Sequence, residues 1–100
     1  MTLAAWLERH TAAAPAALRG RVREYALTGS SDGSVAEVLA RTGSRALDQV
    51  AAHPGDRSVA LDLLAADALV TLALLAQAET RPAELDAFAA SLLKAARPGT

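Results

Sequence analysis

Two aspartates inside the most apolar segment are the side chains best placed to do chemistry. Residues 59–78 contain sixteen apolar residues and otherwise only Asp62, Asp67, Thr71 and Gln77. A carboxylate inside an apolar helix costs on the order of several kcal/mol unless it is paired, hydrogen-bonded or protonated. We therefore expect Asp62 and Asp67 to be buried. They should either form structural ion pairs or take part in acid–base chemistry or ligand binding.

The charge distribution favours ion pairing. The first 28 residues carry four arginines and two glutamates, whereas residues 53–80 carry one arginine against three aspartates and one glutamate. Arginines of the cluster Arg19, Arg21 and Arg23 are the expected partners of the two aspartates. The alternative is a small protein that binds a hydrophobic molecule, or a minor enzyme, whose ligand or buried polar candidates are Asp62, Asp67, Thr71 and His10.

The arginine cluster also supports a second alternative, contact with nucleic-acid phosphates. Arg19 and Arg23 lie one helical turn apart, and Arg21 lies one turn before Tyr25. The net charge is −1 and no second basic helix accompanies the cluster. Nucleic acid is therefore a less favoured partner than protein.

The common catalytic and metal-binding patterns are missing from the sequence. It has no cysteine, which removes thiolate ligands, cysteine nucleophiles and disulfides. Neither His10 nor His53 follows an acidic residue by three positions, as a carboxylate-bridged metal centre in a helix bundle would require. No nucleophile elbow or phosphate-binding loop is present. We assign no catalytic residue, metal or cofactor and regard enzymatic activity as open but disfavoured.

The composition predicts an all-α fold. Half of the 52 apolar residues are alanine, 16 are leucine, and isoleucine is absent. Alanine and leucine favour helices, and the β-branched and aromatic residues are too few for a sheet protein. We expect one helical domain over residues 1–100, a small bundle of four main helices and a short N-terminal one, built around a highly apolar helix at about 57–79.

Capping residues and apolar spacing place the helices. Thr2 should cap a helix over 3–10, and Pro15 should open a second that ends near 27. Residues 28–33 have loop composition, and Ser34 with Glu37 forms a capping box for a third helix that ends near 52. A last helix should run from about 82 to 96 with Thr80 as its cap, followed by a disordered tail at 97–100.

The apolar helix at 57–79 implies two packing partners. On a helical wheel its larger side chains form two stripes, and we expect one of them to bind a second copy of the chain or another protein. The small residue Gly43, on the apolar side of the third helix, predicts a close helix approach or a bend. The interface candidates are Leu61, Leu64, Leu72 and Leu75 in the first stripe, and Leu63, Val70 and Leu74 in the second.

A membrane location is not favoured by the same segment. The apolar side chains of 59–78 favour insertion by about 4 kcal/mol, which Asp62 and Asp67 offset with about 4 to 6. No basic and then apolar leader is visible at the N-terminus. We therefore expect a cytoplasmic protein that does not insert into a membrane.

Overall fold

The chain forms a bundle of helices, as the composition predicts. The structure, a computed structural model, describes residues 2–55 and 57–96, with the side chains of 95 and 96 excepted, and contains no β-strand in those ranges. The all-α prediction is confirmed. The helices are α1 Leu3–His10, α2 Ala16–Thr28, α3 Val35–Ala52, α4 Val59–Thr80 and α5 Leu85–Ala96, with a 3-10 turn at Pro82–Glu84 before α5.

Local capping fixes the starts of two helices at the predicted residues. The Thr2 hydroxyl accepts a hydrogen bond from the Ala5 amide at 3.1 Å. At α3 the Ser34 hydroxyl accepts from the Glu37 amide at 3.1 Å, and the Glu37 carboxylate accepts from the Ser34 amide at 2.9 Å. These reciprocal bonds satisfy two amides that the helix leaves unpaired. The pKa of Glu37 is lowered, because the backbone amide and the hydroxyl of Ser34 both favour the charged form of its carboxyl group.

Two other boundaries differ from the sequence prediction. The apolar helix begins at Val59, two residues later than expected. Thr80 is not the cap of the last helix, because it ends α4 and its hydroxyl donates to the Ala76 carbonyl at 2.8 Å. The chain instead turns at Arg81 and enters α5 through the 3-10 turn. The predicted tail at 97–100 lies outside the described residues.

The centre of the protein is the contact between α3 and α4, the most extensive between any two of its helices. Gly43 of α3 faces Val70 and Leu69 of α4 so closely that a Cβ atom at Gly43 would lie 3.1 Å from Val70 Cγ2. The close helix approach predicted from Gly43 is therefore confirmed. Small side chains on α4 allow it, since Ala65, Ala66 and Ala73 are fully buried beside Leu69.

Helices α1, α2 and α5 complete the core from the sides. Trp6 and Leu7 of α1 and Val22 and Ala26 of α2 are buried against it. Phe88 of α5 packs on the same cluster and stays partly exposed. None of the helices within the described ranges covers the remaining face of α4.

Candidate functional site

Asp67 does not lie in the core. It is exposed, on the side of α4 opposite the fully buried Leu69. At 100° per residue, positions 67 and 69 differ by 200°, so a helix that buries Leu69 turns Asp67 to solvent. The expectation that Asp67 is a buried carboxylate is wrong, because the alanine-rich side of α4 is the one that faces α3.

Asp62 is the carboxylate that is largely buried, and it is paired. Its Oδ1 lies 3.5 Å from Nε of Arg21, and the Asp62 side chain is only 16% exposed. The same oxygen has no hydrogen-bond donor in good geometry, so the guanidinium stabilises it mainly by its charge. Burial raises the pKa of the neighbouring Tyr25, and the Asp62 carboxylate raises it further. Arg21, Tyr25 and Asp62 thus join α2 to α4.

The three arginines do not form one basic surface. Arg21 is turned to α4, where it pairs with Asp62 and approaches Glu24 at 3.8 Å. Arg19 donates to the Ala12 carbonyl at 3.3 Å, which ties it to the turn before α2. Because position 21 lies opposite positions 19 and 23 on a helix, the cluster is divided between two sides of α2.

His10 belongs to a contact that holds α1 against the end of α4. Its ring stacks on Trp6 with centroids 3.9 Å apart. Nδ1 lies 2.9 Å from the Trp6 carbonyl oxygen and Nε2 lies 3.3 Å from Glu79 Oε2, so acceptors face both ring nitrogens. Trp6 Nε1 donates to Glu79 Oε1 at 3.2 Å. This arrangement accounts for His10 as a structural side chain, and Glu79 is a member that the sequence did not point to.

The apolar side chains of α4 are divided differently from the two predicted stripes. Leu72, predicted at an interface, is buried in the core. Leu61 and Val70 lie at the margins of the buried side and are partly exposed. Leucines from both predicted stripes meet on one uncovered surface: Leu63 is 50% exposed, Leu64 56% and Leu75 41%.

We call this surface the α4 outer face. It is centred directly opposite Leu69 and extends from Ala60 to Ala78, about 27 Å at 1.5 Å per residue. Its single ionisable side chain is Asp67, and the hydroxyl of Thr71 donates to the Asp67 carbonyl at 3.0 Å. The face consists of Ala60, Leu63, Leu64, Asp67, Thr71, Leu74, Leu75 and Ala78.

Surface clefts do not coincide with the predicted polar candidates. A cleft of about 480 Å³ lies between the start of α3 and the 3-10 turn, where Glu37 and Arg81 contribute to its wall. Two smaller clefts of about 320 and 230 Å³ lie beside Arg45 and Phe88. All three open widely to solvent, and none is lined by Asp62 or Asp67. No group of three or more potential metal ligands occurs among the described residues.

By length and composition alone, α4 is the one helix of the described chain that could cross a membrane. The mean hydropathy of its most apolar 18 residues is 2.1, yet only 33% of that window is buried inside the protein.

No protein-family model matches the chain, and comparison with curated proteins and with solved structures finds no significant match. The α4 outer face is therefore the feature of the described residues that bears most directly on function.

Proposed function

We propose that this protein is a cytosolic, non-enzymatic interaction module that forms a homodimer through the α4 outer face. The observation that carries the proposal is the combination of high hydropathy and low burial on α4. Three leucines on that face are between 41% and 56% exposed, Leu63 and Leu64 near its start and Leu75 near its end, with Asp67 and Thr71 between them. Isolated exposed leucines are ordinary, whereas a contiguous apolar face along a helix is typical of an interaction surface.

The chemistry of the face favours a second copy as the partner. Its polar atoms come from Asp67 and Thr71, and it has no row of like charges that would require an oppositely charged partner. A twofold contact brings the same surface of both chains together, so an apolar face can cover its own copy. Positions 60, 64, 67, 71, 74 and 78 follow the alternating spacing of four and three residues that is typical of a coiled-coil seam.

A membrane is a less suitable partner for α4. The opposite side of the helix buries Ala65, Leu69 and Ala73 against α3, and Asp62 is held there by Arg21. Insertion would require α4 to leave the largest helix contact of the protein and would place two aspartates in hydrocarbon. Docking of the intact bundle on a second copy preserves these contacts.

The energetics correspond to a modest affinity. Full burial of a leucine contributes about 1.5–3 kcal/mol, so covering a half-exposed leucine contributes about 1. Six such side chains, three from each copy, give about 6 kcal/mol before the smaller contacts of Leu74 and the alanines are added. Loss of free motion opposes association by at least about 4 kcal/mol. The difference is about 2 kcal/mol, and with those smaller contacts added we expect a weak dimer with a dissociation constant in the millimolar range.

Sedimentation velocity of the full chain from about 10 µM to 1 mM, a range that reaches the expected dissociation constant, tests the proposal. We expect the sedimentation coefficient to rise from the monomer to the dimer value. Leu64→Glu should remain monomeric with an unchanged helical circular dichroism spectrum. The matched control is Leu93→Glu, since Leu93 of α5 is 66% exposed and lies outside the face, and it should dimerise like the wild type.

Two results would overturn the proposal. One is a wild-type protein that stays monomeric across the whole concentration range. The other is flotation of the wild type, but not of Leu64→Glu, with neutral phosphatidylcholine vesicles, which would identify a membrane as the partner of the face.

A further inference from the structure

The α4 outer face is nearly symmetric about Leu69 when it is read in both directions along the helix. Ala60 and Ala78 lie nine residues on either side of Leu69, Leu63 and Leu75 six residues, and Leu64 and Leu74 five. The remaining pair is Asp67 and Thr71, two residues on either side. The second side chain of each pair is therefore the one that an antiparallel copy of α4 would place opposite the first.

From this symmetry we infer that two copies pair through antiparallel α4 helices whose outer faces cross at the level of Leu69, with Asp67 of each copy opposite Thr71 of the other. This inference rests on the proposed homodimer and adds its orientation and register. In this arrangement Ala60 faces Ala78 and Leu64 faces Leu74 across the twofold axis. Each apolar side chain of the seam then lies opposite an apolar side chain of the second copy.

Asp67 and Thr71, the polar pair of the face, favour this arrangement over a parallel dimer and over a shifted antiparallel one. A parallel dimer in register would place Asp67 opposite Asp67 of the second copy, two like charges within an apolar seam. An antiparallel pairing shifted by seven residues would place Asp67 opposite Leu64 or Ala78, neither of which can donate a hydrogen bond. At the proposed register a threonine hydroxyl lies opposite each carboxylate.

The hydroxyl is already on the correct face. Thr71 Oγ1 donates to the Asp67 carbonyl of its own chain at 3.0 Å, and both side chains are exposed. A hydroxyl rotates about its C–O bond, so the same group can donate to the carboxylate of the second copy instead. A hydrogen bond to a charged acceptor is stronger than one to a backbone carbonyl. A polar pair within an apolar seam is also a known device for fixing register.

Cysteine cross-linking tests the orientation, and the chain has no cysteine of its own to interfere. We would prepare Ala60→Cys and Ala78→Cys as separate proteins and oxidise each alone and as a mixture. In the antiparallel dimer two copies of position 60 lie about 27 Å apart along the axis, as do two copies of position 78, because 18 residues rise 1.5 Å each. Positions 60 and 78 lie opposite one another. We expect a disulfide-linked dimer from the mixture and little from either protein alone.

A second measurement tests the polar pair. Thr71→Val removes the hydroxyl on the outer face, and we expect it to weaken dimerisation at least tenfold. Thr80→Val is the matched control, because Thr80 also donates to the carbonyl four residues earlier but ends α4 away from the face. It should dimerise like the wild type.

The outcomes separate this inference from the proposed function. Efficient cross-linking of each cysteine protein with itself would show a parallel dimer, and a dimeric wild type whose mixed variants do not cross-link would show a different interface. Both results would overturn the antiparallel pairing while leaving self-association intact. A wild-type protein that is monomeric by sedimentation would overturn both.

Discussion

The ion pair between Arg21 and Asp62 gives the sharpest test of how the interior of this protein is held together. We consider Arg21→Met, which keeps most of the apolar stem and removes the charge. The variant leaves the Asp62 carboxylate, 16% exposed, without its cation. The predicted consequence is a loss of folding stability rather than of a chemical activity.

The magnitude follows from the geometry. Two unit charges 3.5 Å apart attract by about 5 kcal/mol at an effective dielectric constant of about 20, before desolvation is subtracted. Removing one partner of a fully buried pair costs about 3–5 kcal/mol. The Arg21 side chain is 33% exposed, so water screens part of the interaction. We therefore expect Arg21→Met to lower the free energy of unfolding by about 2 kcal/mol.

The assay is urea unfolding followed by far-UV circular dichroism, with all variants at one protein concentration because dimerisation contributes to stability. Arg19→Met is the control, since Arg19 contacts only the Ala12 carbonyl among the interactions observed for it. The double variant Arg21→Met with Asp62→Leu should recover most of the loss, because an apolar pair needs no charge compensation. Equal stabilities of Arg21→Met and Arg19→Met would refute a structural role for the pair, as would a double variant that is no more stable than Arg21→Met.

Four further predictions concern other parts of the fold. Gly20→Ala should raise the free energy of unfolding by about 0.5–1 kcal/mol, because a Cβ there meets nothing within 4 Å. Gly43→Ala should not raise the free energy of unfolding, because its Cβ would lie 3.1 Å from Val70 Cγ2. If urea unfolding showed the same increase for Gly43→Ala as for Gly20→Ala, the close approach of α3 and α4 would be contradicted. The interactions that lower the pKa of Glu37 stabilise the fold fully when the pH is above 4.5, the usual pKa of this group. Their contribution is lost as the pH falls through the lowered pKa. The stability advantage of the wild type over Glu37→Gln should therefore shrink between pH 7 and about pH 3, and a constant difference would be the contrary result. Glu79→Ala removes the charged acceptor of the Trp6 indole N–H and should shift the fluorescence maximum of this single tryptophan, whereas Glu84→Ala should leave it unchanged.

Local signals in the sequence predicted the helices well, because capping acts over three or four residues. Thr2 and the box of Ser34 and Glu37 place the starts of α1 and α3 as expected. Thr80 shows the limit of the same reasoning. Its hydroxyl suits a helix cap, but α4 continues to Thr80 and uses that hydroxyl within its own last turn.

The sequence was less informative about which side of α4 faces inward. Leucines occur on almost every side of α4. The larger side chains alone therefore predict two apolar stripes and do not identify a single buried face. The structure buries the side on which Ala65, Ala66 and Ala73 surround Leu69, and Gly43 of α3 packs closely against it. This packing leaves Asp67 outside and Asp62 inside. The spacing along the chain places the two aspartates on different sides of the helix, but it does not say which side faces the core.

The sequence by itself determined the all-α class and most of the helix boundaries, since each depends on local propensity, and it narrowed Gly43 to a close helix approach or a bend. Only the tertiary structure decided that Arg21 is the partner of Asp62, that Glu79 joins Trp6 and His10, and that the leucines of α4 share one uncovered face. The physical reason is that these features depend on the rotation of each helix about its own axis. Packing against α3 sets that rotation for α4, and it thereby turns one side of an almost uniformly apolar helix to solvent.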